Sequence, residues 1–329
     1  MSDPSGVVGR ADLDLITIGR VGVDLYPEQI GVPLSKVKTF AKSLGGSPTN
    51  VAVAAARLGH RSAVVTKVGD DGFGVYVREA LAEFGVDTRF VGTDPEHNTP
   101  VVFCELFPPD NFPLLFYRSP KAPDLNVTAG ELDLDAIARV PILWTTGTAL
   151  TEEPSRSATF AALRVARGRT IHDLDHRHHL WPSTLAARDA AREALRYAKV
   201  AVGNMDEVEM ATGVRDPDAA ADAILELGPE LAIVKQGPRG TLARTKSERV
   251  EVPAVLIEVV NGLGAGDAFG GALVHGLLSG WPLRRTLEFA NAAGAIVASR
   301  LACADAMPTE AEVDALLLIA SAPARTVHA

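Results

Sequence analysis

Residues 261–271 read NGLGAGDAFGG. Glycines stand at 262, 264 and 266, and Asp267 follows them directly. An apolar run, Val255–Val260, precedes the loop, and a helical pattern, Ala265–Ser279, follows it. This order predicts a strand-to-helix turn at the C-terminal edge of a parallel sheet, where ligands bind. Glycines permit unusual φ values and let a ligand come close to the backbone. The start of the helix turns free N–H groups and the positive end of its dipole towards that ligand, which suits a phosphate.

Three chemistries compete for such a loop. A P-loop requires G-x-x-x-x-G-K-[ST], and the dipeptide Gly-Lys occurs nowhere in the chain. A dinucleotide fingerprint requires G-x-G-x-x-G, and Asp267 stands where its third glycine belongs. The third is an anion cradle with a carboxylate built in. In it Asp267 faces an acceptor hydroxyl while the amides of Gly264, Ala265 and Gly266 hold a phosphoryl group in transfer. The plain structural alternative is a tight turn whose aspartate stabilises a helix start.

Short apolar runs alternate with helical patterns along most of the 329 residues. Strands are expected at Leu13–Ile18, Ala63–Val68, Ile142–Thr146, Thr170–Asp173, Val200–Gly203 and Leu231–Lys235. Helices are expected between them, among them Pro48–Leu58, with Ser47 as its N-cap and Gly59 as its stop. The alternation predicts an α/β fold with a mostly parallel sheet covered on both faces. Two stretches break it. Thr99–Leu106 and Leu114–Arg118, joined by FPPDNFP, read as a hairpin. Val23–Phe40 reads as irregular and polar. Both are assigned to a small β flap. The tail after Ala320 reads as loosely held.

Apolar residues make up 47% and charged residues 22%, enough to build a large core. The net charge of −9 argues against a nucleic-acid surface and leaves room for a small anionic substrate. Two distant cysteines, Cys104 and Cys303, lack metal-site spacing and fit a reducing cytoplasm. Neither a signal-peptide core nor an apolar run of membrane-spanning length is present, so no membrane partner is expected.

A second motif, LGGSPTNVAVAAARLG at 44–59, joins the glycine-rich loop. Together they resemble the two signatures of the ribokinase-like (PfkB) sugar kinases, and the resemblance runs over nearly the whole chain. It implies one kinase domain over 1–329, a three-layer sandwich with a β flap whose lid segments lie near 20–45 and 99–120. It also implies ATP and Mg2+ as cofactors. By this resemblance Asp267 is the catalytic base, and the backbone of Gly264, Ala265 and Gly266 is the anion hole. Asp24 binds sugar hydroxyls, with Gly45, Gly46 and Asn50 beside it. Asn204 and Glu207, in GNMDEVE, match the N-x-x-E element that organises magnesium and phosphate, Glu207 through water. Lys235, Gly237 and Gly240 match the loop under the nucleotide, and Asn291 falls where the adenine pocket is lined. The family commonly has Asp-Thr where this chain has Asn261-Gly262, which weakens the expectation of a monovalent cation. Flap strands of the family often pair across a dimer, so a homodimer through the flap is expected.

HDLDHRHHLW, residues 172–181, carries four histidines and invites a zinc reading. It also resembles the family element D-x-N-x-R-x-x-LW of kinases for keto-deoxy sugar acids, with Arg177 in place and Asp175 replacing the asparagine. Guanidinium groups pair well with carboxylates. Arg177, with Tyr117 and Arg118 brought in by the flap, is therefore expected to hold an acidic acceptor. The flap stretches and the NGLGAGDAF form of the loop are similar to a branch that phosphorylates a keto-deoxy sugar acid at its terminal hydroxyl in inositol catabolism. Rival readings are a 2-keto-3-deoxygluconate kinase, a fructokinase, and a catalytically silent sugar-binding protein on the same scaffold.

Overall fold

A computed structural model describes residues 12–321. Both ends of the chain, including most of the tail expected to be loose, lie outside them. A nine-stranded sheet forms the middle layer. From edge to edge it runs β13 (Arg249–Val252), β12 (Thr241–Arg244), β11 (Leu231–Lys235), β10 (Val200–Asn204), β9 (Arg169–Asp173), β8 (Ile142–Thr146), β1 (Leu15–Ile18), β4 (Ser62–Gly69) and β5 (Val91–Asp94). The strands from β11 to β5 pair in parallel, and only β12 and β13 run antiparallel.

Successive residues of a strand point to opposite faces, and both faces here are packed. Leu15 joins one apolar cluster, with the Ser47–Arg57, Ala265–Leu278 and Leu283–Ala298 helices. Its neighbour Ile16 joins the other, with the Ser155–Val165, Thr184–Leu195 and Pro217–Glu226 helices. Burial on both sides explains why these strands read as continuous apolar runs rather than alternating ones. The result is the expected three-layer α/β sandwich.

The flap is a separate four-stranded sheet in the order β3 (Phe40–Gly45), β2 (Gly22–Pro27), β6 (Val101–Cys104), β7 (Leu114–Tyr117). The β6–β7 hairpin pairs Val101 with Tyr117 and Cys104 with Leu114. Val23–Phe40, expected to be irregular, begins with most of a regular strand, β2, which lies between two partners, antiparallel to β3 and parallel to β6. A small cluster of Tyr26, Cys104, Leu106 and Cys303 ties this sheet to the body.

Two local expectations need correction. Val255–Val260 is not a strand. The N–H groups of Val260 and Asn261 donate to Ala298 O, at the end of the Leu283–Ala298 helix, so no sheet partner is available to them. Leu256 is 89% exposed. The first-signature helix is capped by Gly46, with Ser47 already inside its first turn.

Candidate active site

The glycine-rich turn is shaped by a residue far away in sequence. Gly264 caps the Ala265–Leu278 helix at φ 81°, and a Cβ there would stand 2.5 Å from Cys303 Sγ. Positive φ and this close neighbour both demand glycine. The N–H groups of Asp267 and Ala268 turn back to Gly264 O. Those of Ala265 and Gly266 meet no acceptor among the described residues, as the first donors of a helix do.

Asp267 does not serve its own helix as a cap. Its Oδ2 accepts Nδ2 of Asn50, at 2.8 Å, from the other signature helix. Burial raises its pKa, and hydrogen bonds from Asn50 and Ser47 work against that rise. Asn50 Oδ1 is buried without a partner among the described residues, an acceptor turned towards whatever enters beside Asp267.

The paired glycines of the first signature have steric reasons. A Cβ on Gly45 would stand 2.0 Å from Asp24 Oδ1, and one on Gly46 would stand 2.3 Å from Arg20 O. Any side chain at either position would push Asp24 or Arg20 away. Asp24 accepts the Tyr26 hydroxyl at 3.0 Å. Burial pushes its pKa up to about 6; Arg20 and the Tyr26 hydroxyl pull it down, and Asp267 adds to the rise.

Two cavities meet at the loop. One, of about 50 Å³, is lined by Arg20, Asp24, Gly46, Asn50, Arg177 and Asp267, with Val102, Leu114 and Phe116 of the flap above them. The other, of about 630 Å³, brings together Asn204, Lys235, Gly237, Gly240 and Asn291 with Ala265 and Gly266. Every residue expected to contact a nucleotide thus faces this one larger space. Asn291 is held by Thr241, which donates to its Oδ1 at 2.7 Å, and by its own donation to Pro253 O at 2.9 Å. A Cβ on Gly266 would stand 3.2 Å from Lys235 Nζ, so the lysine reaches the glycine-rich turn.

The charges between the two cavities are interlocked. Asn204 and Glu207 form a capping box, with Glu207 N donating to Asn204 Oδ1 at 3.0 Å and Asn204 N to Glu207 Oε2 at 2.8 Å. Arg177 pairs with Asp175 at 2.9 Å and with Glu207 at 3.6 Å. Burial works against the charge of Lys235, but Asp173, Glu207, Asp267 and Asp175 more than offset it and raise its pKa. Burial pushes Asp173 up to about 7, with Lys235 opposing and Glu207, Asp175 and Asp267 adding.

A pfkB family carbohydrate kinase model matches residues 12–310. The chain belongs to that family. A 5-dehydro-2-deoxygluconokinase of Geobacillus kaustophilus (strain HTA426) is 33% identical over 311 residues, covering 92% of each chain. Another protein of that name, from Photobacterium profundum, is 35% identical over 308 residues, 91% of this chain and 92% of that one. Among solved structures, a fructokinase with bound ATP from Xylella fastidiosa superimposes with a TM-score of 0.83 at 26% identity, over 94% of this chain and 99% of that one. A structure from E. coli described as a putative ribokinase II in complex with ATP and Mg2+ gives 0.85 at 25% identity, over 93% and 99%.

The flap of this sugar kinase departs from expectation at two residues. Tyr117 is 61% exposed and turned away from the smaller cavity. Strand alternation is the reason: Leu114 and Phe116 face the cavity, so Leu115 and Tyr117 face outwards. Arg118 is drawn into a buried ion pair with Asp124 at 2.8 Å and lines the outer side of the flap. Phe116 and Arg20, which line the smaller cavity, were not expected there from the sequence. The histidines of 172–181 do not converge. His172 is buried against Thr145 at 3.0 Å, and burial pushes its pKa down to about 4, while the ring of His179 lies 4.8 Å from that of Phe116. Asn261 spends its side chain on the loop itself, donating to Leu301 O at 2.7 Å and accepting from Leu263 N at 3.0 Å.

Proposed function

We propose that this kinase transfers the terminal phosphoryl group of ATP to the terminal hydroxyl of 5-dehydro-2-deoxy-D-gluconate, giving the 6-phosphate, as a step of myo-inositol catabolism in the cytoplasm. The observation that carries this reading is the smaller cavity. A carboxylate and an unpartnered amide oxygen sit at the cradle, and guanidinium groups line the same space. A sugar acid offers both kinds of partner: hydroxyls for Asp24, Asn50 and Asp267, and a carboxylate for arginine. The relatives named 5-dehydro-2-deoxygluconokinase support the choice of acid.

In this reading the larger cavity holds the nucleotide. Asn291, Gly237 and Gly240 lie along the base and ribose, and Lys235 and Asn204 lie at the phosphates. The free amides of Ala265 and Gly266, with Gly264 beside them, meet the charge on the group in transfer. Asp267 orients the acceptor hydroxyl and takes its proton late in a loose transition state. Burial suits this role, because a raised pKa makes the carboxylate a better base.

Magnesium, when bound, would supply positive charge against the nucleotide phosphates. It keeps several waters and uses few protein ligands. Glu207 fits that demand: its capping bond holds it against Asn204, which lines the nucleotide cavity, and from there it would act through water. A carboxylate that could hold a monovalent cation is replaced by the committed amide of Asn261, so none is assigned.

The flap acts as the lid of one kinase unit. Its outer face carries the edge-packed rings of Phe40, Phe103 and Tyr117 beside exposed Leu115, and a second copy pairs there to form a homodimer. Sedimentation should give a dimer, and a charge at Leu115 should dissociate it. The function itself is tested by a coupled ADP-release assay over sugar acids and neutral sugars. 5-Dehydro-2-deoxygluconate should give the highest kcat/KM. A better result with 2-keto-3-deoxygluconate, fructose or ribose overturns the reading.

A further inference from the structure

Three arginines lie near the smaller cavity, and their commitments differ. Arg118 is closed into its pair with Asp124, outside the cavity lining. Arg177 holds Asp175 at 2.9 Å and extends towards Glu207, on the nucleotide side. Arg20 touches Asp175 only at 3.5 Å, through both Nε and Nη2, the outer limit of a hydrogen bond. Among the described residues Nη1 of Arg20 meets no acceptor. The Asp175 carboxylate is meanwhile well supplied, with the Thr148 hydroxyl donating to it at 2.8 Å. Arg20 is thus a buried guanidinium with donors to spare, in a space built for a polar ligand.

The backbone places Arg20 deliberately. It sits between Gly19, at φ 144°, and the body of Gly46, whose missing side chain lets Arg20 O approach. Thr49 donates to the same oxygen at 3.1 Å. The first-signature helix therefore fixes the arginine and the Asn50–Asp267 contact together.

We propose that Arg20 is a specificity-determining residue, whose planar guanidinium grips the carboxylate of the acceptor while Asp175 holds it from behind. This rests on the sugar-acid reading above. A guanidinium matches a carboxylate with two parallel N–H donors, whereas a neutral amide or hydroxymethyl group gives it one acceptor and no charge.

The test compares 5-dehydro-2-deoxygluconate with its primary amide, which has the same shape and no charge. Wild-type enzyme should prefer the acid. Arg20→Gln should lower kcat/KM for the acid roughly 10- to 100-fold, the usual size of a lost charge-assisted bond, and lower it much less for the amide, so that the preference for the acid shrinks. Arg20→Lys, which keeps a cation beside Asp175 but not the fork, should fall between, and carries the test if Arg20→Gln does not fold. Equal losses on both acceptors, or a retained preference for the acid, overturn the assignment. A wild-type enzyme indifferent to the charge overturns the sugar-acid reading itself and this inference with it, before any variant is made.

Discussion

The two cavities that meet at NGLGAGD are built on opposite principles. The smaller cavity, the proposed acceptor side, is ionic, with Arg20, Asp24, Arg177 and Asp267 packed around about 50 Å³. The nucleotide side, at about 630 Å³, is far larger and mostly walled by apolar groups such as Val255, Ile257, Val259, Ala290 and Ala298. A small, charged space selects by the cost of leaving a buried charge unpaired. A wide apolar space selects by shape and stacking, and tolerates change. Substitutions on the acceptor side should therefore act on turnover and choice of sugar, and leave nucleotide binding largely alone.

The sharpest break of that contrast is Asp267→Asn. The change keeps the shape of the side chain and an oxygen for Asn50, and removes the proton acceptor. Loss of a general base typically costs roughly 10²–10⁴ in rate, so kcat should fall by that order. Nucleotide affinity and melting temperature should stay close to wild type. If the variant unfolds while its folded fraction turns over normally, the aspartate belongs to the scaffold and not to the chemistry.

Arg177 stands between the two spaces, so its removal asks which one owns it. It reaches Asp175 on one side and Glu207 on the other. Arg177→Ala should lower kcat/KM roughly 10- to 100-fold, as loss of a charge-assisted partner does. Most of the loss should appear in kcat if the guanidinium meets the group in transfer. A rise in acceptor KM alone would give Arg177 a share in Arg20's task. A matching loss of nucleotide affinity would move it to the other cavity.

The same contrast explains what can be read without coordinates. Both signatures are contiguous, and each combines its glycines with the side chain they serve, so Gly45, Gly46, Asn50 and Asp267 are legible from the two motifs. The nucleotide wall is not. Val255–Val260 is apolar because Val255, Ile257 and Val259 line a cavity, and apolarity alone cannot separate a cavity wall from a buried strand. The flap hairpin is legible, but its facing is not. A strand's two faces are symmetrical in sequence until one knows which lies against the body, and the sequence suggests Tyr117 where Phe116 is turned inwards. Arg20 is hidden for another reason: its partner, Asp175, is 155 residues away. Asn204 and Glu207 show the reverse case, a motif that caps its helix while one of its members, Asn204, also lines the larger cavity.

A smaller effect should come from Asp24. Its folded pKa, about 6, lies above the ordinary carboxylate value, chiefly through burial. A raised acid pKa means that the charged form is disfavoured in the folded state. Asp24 thus costs stability above about pH 6, and that cost is relieved as pH falls through 6 towards 4. Asp24→Asn should raise the melting temperature at pH 7.5 by about 2–4 °C, the shift that ~1 kcal/mol produces in a domain of a few hundred residues. The gain should vanish near pH 4, and acceptor turnover should fall at every pH. Such an exchange of stability for function is common at binding sites. A variant less stable than wild type at pH 7.5 would show that Asp24 is well paired in the empty cleft.

The smallest expected change is in motion. At about 50 Å³ the acceptor cavity has room for one or two waters, at roughly 30 Å³ each. A six-carbon acid needs more room, which lifting of the flap would provide. The base of the flap is anchored in the main core by Val23 and Leu44, but the β6–β7 hairpin meets the body chiefly through the small cluster of Cys104 and Leu106 with Tyr26 and Cys303, and Phe112 lies over Gly262. Elements with so little buried apolar contact open at low free-energy cost. The hairpin tip also reaches across to the larger cavity, where Pro109 and Asp110 line the nucleotide side. Both ligands should therefore hold the flap down, and closure would keep water from the group in transfer. Amide hydrogen exchange over residues 99–120 should slow a few-fold with a non-hydrolysable nucleotide and further when the acceptor is added. Amides of β8, deep in the main sheet, should not respond. If exchange over 99–120 stays the same at saturating ligand, the flap is a fixed wall. The narrow acceptor cavity must then widen by movement of its own side chains, and the contrast between the two cavities would be one of contents alone.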